Sequence, residues 1–349
     1  MMWKFNYKRI VELMLIMLFM GGFTACNSDE DVYGPESNVP SGPSIPTDPS
    51  VPTDPSVPAD PSVPVEPVSH YRPKTSASKA TFSKVYQYLP APGQFINETK
   101  TGGFTDKHTT QEAANAYAEE RFAKGIWVSL GGFGGYVVVG FDHSIDNTGG
   151  YDFAVIGNSF NNSSEPGIVW VMQDENGDSM PNDTWYELRG CETGLPTTLQ
   201  NYAVTYYRPT EPGKPVKWTD SEGQSGEIDY LKAYHKQDYY YPLWVESDSY
   251  TLTGTRLEAK NYDQSGKGSY WVLPTFDWGY ADNFSSIDRP TEKSVDNRFR
   301  ISDAMDQNGE AVVLQYIDFV KVQTGVNSKS GWLGEVSTEV VGFYDCSMK

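Results

Sequence analysis

Asp174, Asn176 and Asp178 put oxygen-bearing side chains at the first, third and fifth positions of the run Asp174-Glu175-Asn176-Gly177-Asp178-Ser179-Met180-Pro181-Asn182-Asp183. That spacing lets three oxygens converge on one hard cation, and Gly177 permits the tight bend. Asn182 and Asp183 can add ligands. The match to an EF-hand loop is partial: Ser179 stands where that loop has glycine, Trp185 where it has a bidentate glutamate, and Glu187 comes two residues late. The expected metal ligands are Asp174, Asn176, Asp178 and Asp183, around a structural Ca2+. The competing reading is a polar hairpin turn between Val171 and Trp185, because Asn176-Gly177 is itself a turn signal. Asp306, Asn308 and Glu310 echo the spacing more weakly and read as a turn.

Two aromatic clusters suit ligand capture: Asp238-Tyr239-Tyr240-Tyr241-Pro242-Leu243-Trp244 and Phe276-Asp277-Trp278-Gly279-Tyr280. Flat rings beside acids and amides form platforms for sugars or for a large planar ligand. Tyr239, Tyr240, Tyr241, Trp244, Trp278 and Tyr280 are the candidate ligand-binding residues. Successive strand residues point to opposite faces, so part of this set must serve the core instead.

Hydrolytic chemistry finds little support. No Gly-x-Ser-x-Gly elbow occurs, and the four histidines, His70, His108, His143 and His235, lack zinc-motif spacing. A glycosidase needs only two carboxylates, and 46 acidic residues are present. Glu335, Glu339 and Asp345 cluster near the C-terminus but read as solvated strand edges. No catalytic residue is expected. Gly131-Gly132-Phe133-Gly134-Gly135 resembles a phosphate loop only superficially: no Gly-Lys-Ser/Thr follows, and its neighbours read as strands. The glycines fit a turn or bulge.

The elements that must position these groups are mostly strands. Short apolar runs broken by Gly, Asn, Asp and Pro recur from Ile126 to Phe343, which indicates an antiparallel β-sandwich or barrel. A parallel α/β fold would need helices between strands. One helix is expected over Ala113–Lys124, with Thr109 as N-cap, Glu112 completing a capping box, and Gly125 at C′. Ala114, Ala118 and Phe122 form its inward stripe. Long loops between Asp183 and Pro242 would account for the size of the domain. Cys191 and Cys346 could pair or stay as separate thiols. A net charge of −19 argues against nucleic acid as a partner.

The N-terminal region differs in kind. Lys4, Lys8 and Arg9 precede an apolar run from Val11 to Met20, too short to cross a bilayer and typical of a signal peptide. Gly21-Gly22-Phe23-Thr24-Ala25-Cys26 resembles a bacterial lipobox, which implies lipidation of Cys26 and an anchor in the outer membrane. The acidic Asn27-Ser28-Asp29-Glu30-Asp31 resembles a cell-surface export tag. Thr47-Asp48-Pro49-Ser50-Val51-Pro52 recurs as Thr53 to Pro58 and Ala59 to Pro64. Proline at that density removes amide donors and favours an extended, disordered tether. The expected organisation is a signal peptide over 1–25, a lipidated tether over 26–77, and one β-sandwich over 78–349.

Two further stretches resemble a family of secreted jelly-roll domains: Ser129 through Asp142, and Gly150 through Phe160 followed by Glu165-Pro166-Gly167-Ile168-Val169. Ile317 to Val322 and Gly334 to Val340 look like that family's closing strands. With the lipobox, the chain resembles gut-bacterial surface lipoproteins encoded beside TonB-dependent corrinoid uptake systems. The resemblance implies an all-β jelly-roll-like head that captures a corrinoid such as cobalamin, without catalysis, for handover to an outer-membrane transporter. A carbohydrate-binding module with structural calcium and a two-carboxylate glycan hydrolase are the alternatives.

Overall fold

Apolar residues in alternation set the main sheet. Val137, Val139 and Phe141, Val169 and Val171, and Val320 and Val322 all turn one way and share one buried cluster. The computed structural model describes residues 69–349, all within one compact unit. The signal peptide, Cys26 and the proline repeats lie outside the described residues.

The largest sheet has six antiparallel strands: β1 (Lys84–Leu89), β3 (Tyr136–Asp146), β15 (Tyr316–Thr324), β5 (Gly167–Met172), β6 (Trp185–Leu188) and β14 (Ala304–Met305), in that order. A three-stranded sheet, β13 (Asp296–Phe299), β4 (Phe153–Ile156) and β17 (Gly342–Asp345), contributes Phe299, Phe153, Val155 and Phe343 to the same cluster. The short pair β2 (Val128–Ser129) and β16 (Glu339–Val340) adds Val128 and Val340. The chain passes from the large sheet to the small one and back at β3, β4 and β5, and crosses again from β15 to β17. This is an antiparallel β-sandwich around one core, the expected class.

Helix α1 (Gln111–Ala123) packs Ala114, Tyr117, Ala118 and Phe122 against that core. Its N-cap is Thr110, whose hydroxyl accepts from the Ala113 N–H at 3.2 Å, so the cap falls one residue after the expected Thr109. Thr109 and Thr110 are two adjacent candidate caps, and spacing alone does not choose between them. Gly125 follows with φ +64°, as a C′ glycine should.

The region between Asp183 and Pro242 carries more strand than the long loops expected there. It holds β7 (Leu199–Tyr207), β8 (Val216–Asp220) and β9 (Ser225–Ile228), which join β10 (Ser249–Arg256) in a four-stranded sheet. Tyr202, Val204, Tyr206, Val216 and Leu252 fill a second buried cluster beneath it. A last hairpin pairs β11 (Tyr262–Asp263) with β12 (Trp271–Val272). Residues 241–245, an apolar run with the composition of a strand, are loop. Cys191 and Cys346 are separate free thiols.

Residues 71–75, which the sequence reading gave to the tether, are tied to the sandwich. The Arg72 guanidinium bonds the buried Asp318 carboxylate at 2.9 Å, and its backbone N–H donates to Ser144 Oγ at 2.9 Å. Lys74 Nζ meets the buried Asp345 carboxylate at 3.0 Å, and Tyr71 packs edge-on against Tyr316.

Candidate metal centre and ligand cleft

The Asp174–Asp183 run forms the connection between β5 and β6. Asp174 Oδ1 accepts from the Gly177 N–H at 2.8 Å and Oδ2 from the Ser179 N–H at 3.0 Å. Asn176 Oδ1 accepts from the Asp178 N–H, and Asp178 Oδ1 from the Met180 N–H, both at 2.8 Å. Asp183 Oδ2 accepts from the Glu175 N–H at 3.0 Å. The loop's own amides thus engage all four predicted ligands, Asn176 and Asp178 in Asx turns.

Among the described residues, the acidic group that converges is a different one: Glu165, Asp282 and Glu339 each bring one carboxylate oxygen within 4.8 Å of the others. Backbone pairing sets this up. The Glu165 N–H donates to the Asp282 carbonyl at 3.0 Å, and Gly167 and Ala281 exchange two bonds of 2.9 Å beside it. Glu339 lies on β16, and its N–H donates to Asp282 Oδ2 at 2.9 Å. The Asn158 N–H donates to Asp282 Oδ1 at 2.9 Å, and the Ser159 backbone bonds the same carboxylate. Glu165 Oε1 accepts from the Ser337 N–H at 3.3 Å, and Glu339 Oε1 from the Ser337 hydroxyl at 2.8 Å. Three chain segments far apart in sequence meet here.

Asp282 is fully buried in the left-handed region, φ +52°. Asp tolerates that conformation better than most residues, and such outliers gather at sites. Gly157 opposes it so closely that a Cβ there would come within 2.6 Å of Asp282 Oδ1. Burial pushes the Asp282 carboxyl well above its ordinary range, and the Glu165 charge adds to this. Glu339 is raised well above its range by burial, then by the charge of Glu165, its hydrogen bond with Glu165 and the charge of Asp282; burial also raises Glu165. Such a cluster either holds protons or takes a cation. Oxygens within 4.8 Å of one another can share one ion at about 2.4 Å, the calcium–oxygen distance. Glu165 is the partly exposed member of the three. The buried Ser159 hydroxyl has no hydrogen-bond partner. Nothing in the spacing of residues 165, 282 and 339 foretells this meeting. The one available signal was Glu339, a glutamate directly before the apolar Val340-Val341, and it read as a solvated edge. Glu335, Glu339 and Asp345 are all buried.

The aromatic clusters divide. Tyr240 and Tyr241 are buried in the second cluster, and their hydroxyls donate to the His235 and Ser247 carbonyls at 3.1 and 2.7 Å. Trp244 belongs to the main core, stacked on Phe104 at 5.8 Å. Tyr280 is buried against Phe276, and its hydroxyl accepts from the Glu192 N–H at 3.1 Å. Tyr239 and Trp278 keep part of their surface exposed.

On the large sheet's other face, one row runs straight across five strands: Val138, Lys321, Trp170, Glu187 and Met305. Lys321 Nζ lies 4.4 Å from the Trp170 ring centre and 5.1 Å from that of Trp185. Burial pulls the lysine down to about 8 against the charge of Glu187. Burial pushes Glu187 up to about 7, while a bond from Thr255 and the charge of Lys321 pull it back. The Glu187 end of this row opens into a cleft of about 420 Å3, shared with Thr193, Leu195, Thr255, Leu257 and Tyr280.

Comparison with known proteins found no match: no family model fits the chain, and no curated protein aligns with it.

Proposed function

We propose that this chain is a non-catalytic binding lipoprotein of the cell surface, whose cation-tied β-sandwich captures a small nutrient ligand, a corrinoid foremost, for a TonB-dependent transporter. The observation that carries binding without chemistry is the Glu165–Asp282–Glu339 centre. Its three carboxylates lie within 4.8 Å, with Asp282 and Glu339 buried and spent on backbone and hydroxyl donors. That suits a structural ion such as Ca2+, which locks loops in place and keeps a binding surface rigid. A two-carboxylate hydrolase needs acids about 5–10 Å apart across an open cleft. The 420 Å3 cleft is lined by one carboxylate, Glu187, which favours binding over hydrolysis. The Asp174 loop is a second proposed calcium position, supported by its spacing alone.

The corrinoid and the surface location rest on the resemblance of residues 129–169 and 317–340 and on the lipobox at Cys26. Equilibrium dialysis of cyanocobalamin against the purified chain, read by visible absorbance, tests the ligand: retention with the protein is expected, and free equilibration would remove the corrinoid. A glycan-binding module is the second reading, favoured by the hydroxyl and amide lining of the cleft (Thr193, Thr198, Gln200, Thr255, Asn308). Retardation in polysaccharide gels would select it.

A further inference from the structure

The cleft beside β6 has the features of a small-molecule site. Its volume, about 420 Å3, lies within the usual range of about 300–1,000 Å3 for small-molecule pockets. The lining is mixed. Leu195, 43% exposed, gives the apolar surface, backed by the buried Leu257, Tyr280 and Met305, and Thr255 and Gln200 give directed polar groups. Glu187 is the charged member, 6% exposed. Thr255 Oγ1 donates to its Oε2 at 2.5 Å. The second oxygen, Oε1, makes no hydrogen bond among the described residues and is not one of their sealed, unpartnered atoms. It is an acceptor held in place by its neighbour and left open to the cleft. Lys321, across Trp170 in the same row, balances part of its charge, so a cationic ligand is not required to accompany it.

We propose that this cleft is the ligand site, and that Glu187 Oε1 accepts hydrogen bonds from an uncharged ligand group bearing O–H or N–H donors while the exposed Leu195 covers its apolar part. The proposal deepens the ligand-binding reading and rests on it. Two sources share the chemistry: the hydroxyls of a sugar, and the carboxamide arms of a corrinoid, of which the cleft would hold one arm. An anionic ligand would face the carboxylate and be rejected. Rigid walls help, because Glu187 sits on a paired strand and Thr255 on another.

The test uses the purified full chain and calorimetric titration with cyanocobalamin, glucose and galactose as separate probes. Two variants address the cleft. Leu195→Trp fills it from a side chain that is 43% exposed, so the fold should survive. Glu187→Ala removes the acceptor. The expected result is binding of the corrinoid or of a sugar, weakened at least about tenfold in Leu195→Trp with unchanged circular dichroism, and similarly in Glu187→Ala if that variant folds. Binding that Leu195→Trp leaves unchanged would overturn the cleft assignment while sparing the ligand-binding reading. Failure of all probes to bind the unaltered chain would overturn both.

Discussion

Glu339 carries the sharpest residue-level expectation. Its carboxyl, like those of Asp282 and Glu165, titrates above its ordinary range in the fold. A raised carboxylate stabilises the fold fully at pH values below the unfolded pKa of about 4. That contribution is lost as pH rises through the elevated values. The chelated protein should therefore melt at a lower temperature at pH 8 than at pH 5. Glu187 and Glu335, raised to about 7 and about 8, add slope of the same sign. The diagnostic is thus the difference between Glu339→Gln and the unaltered chain. Ca2+ at about 100-fold over its dissociation constant should raise the melting temperature by about 5–10 °C, more at pH 8 than at pH 5. Glu339→Gln should flatten the pH slope of the chelated protein and abolish most of the calcium gain. Scanning calorimetry with and without chelator checks both, and an equal calcium gain in the variant would move the ion elsewhere, the Asp174 loop first. Arg72→Ala strands the buried Asp318 carboxylate, which would keep only Ser144 Oγ and the Asp174 N–H. Because the guanidinium is 28% exposed, a loss of about 2–3 kcal/mol is expected in urea unfolding, less than a sealed pair would show.

At the scale of elements, the connection between β2 and β3 is the most constrained. Gly131 has φ +68°, and a Cβ there would overlap the Ala91 carbonyl oxygen. Gly131→Ala should destabilise the protein by more than about 1 kcal/mol, whereas Thr110→Ala, which removes the α1 cap, should remove about 1 kcal/mol. Both are read from urea midpoints. The glycine run was legible as a bend because nothing after it could form a phosphate site. The helix was legible too, through its cap residues, alanine stripe and Gly125. The strands β3, β5 and β15 were visible as apolar alternation. The sheet of β7 to β10 was half legible: apolar runs at 203–207 and 251–257 mark β7 and β10, but β8 and β9 read Val216–Asp220 and Ser225–Ile228, with one buried apolar residue each, so neither shows a strand pattern alone. Their strand state comes from pairing with β7, which no local pattern records.

For the molecule as a whole, the same limit governs the site. A loop whose ligands sit at alternate positions announces itself in sequence, whereas a centre built from residues 165, 282 and 339 exists only once three connections have closed. Aromatic clusters fail for the opposite reason. Tyr240, Tyr241, Trp244 and Tyr280 look like a ligand platform in one dimension and are core in three, because ring-rich segments serve packing and capture with the same composition. Chelation should loosen the domain as one cooperative unit, since the centre joins the segments before β5, after β12 and at β16. A single calorimetric transition shifted downward is expected; a separate early transition would confine the centre to a local loop.

The fastening of Arg72 and Lys74 has a further consequence. Tension entering along the backbone from the N-terminal side reaches these two ionic clasps before it reaches β1. Because Lys74 grips Asp345, four residues from the C-terminus, both ends of the sandwich share one mooring, and a tug loads that contact before it can begin to unzip β1 from the edge of the large sheet.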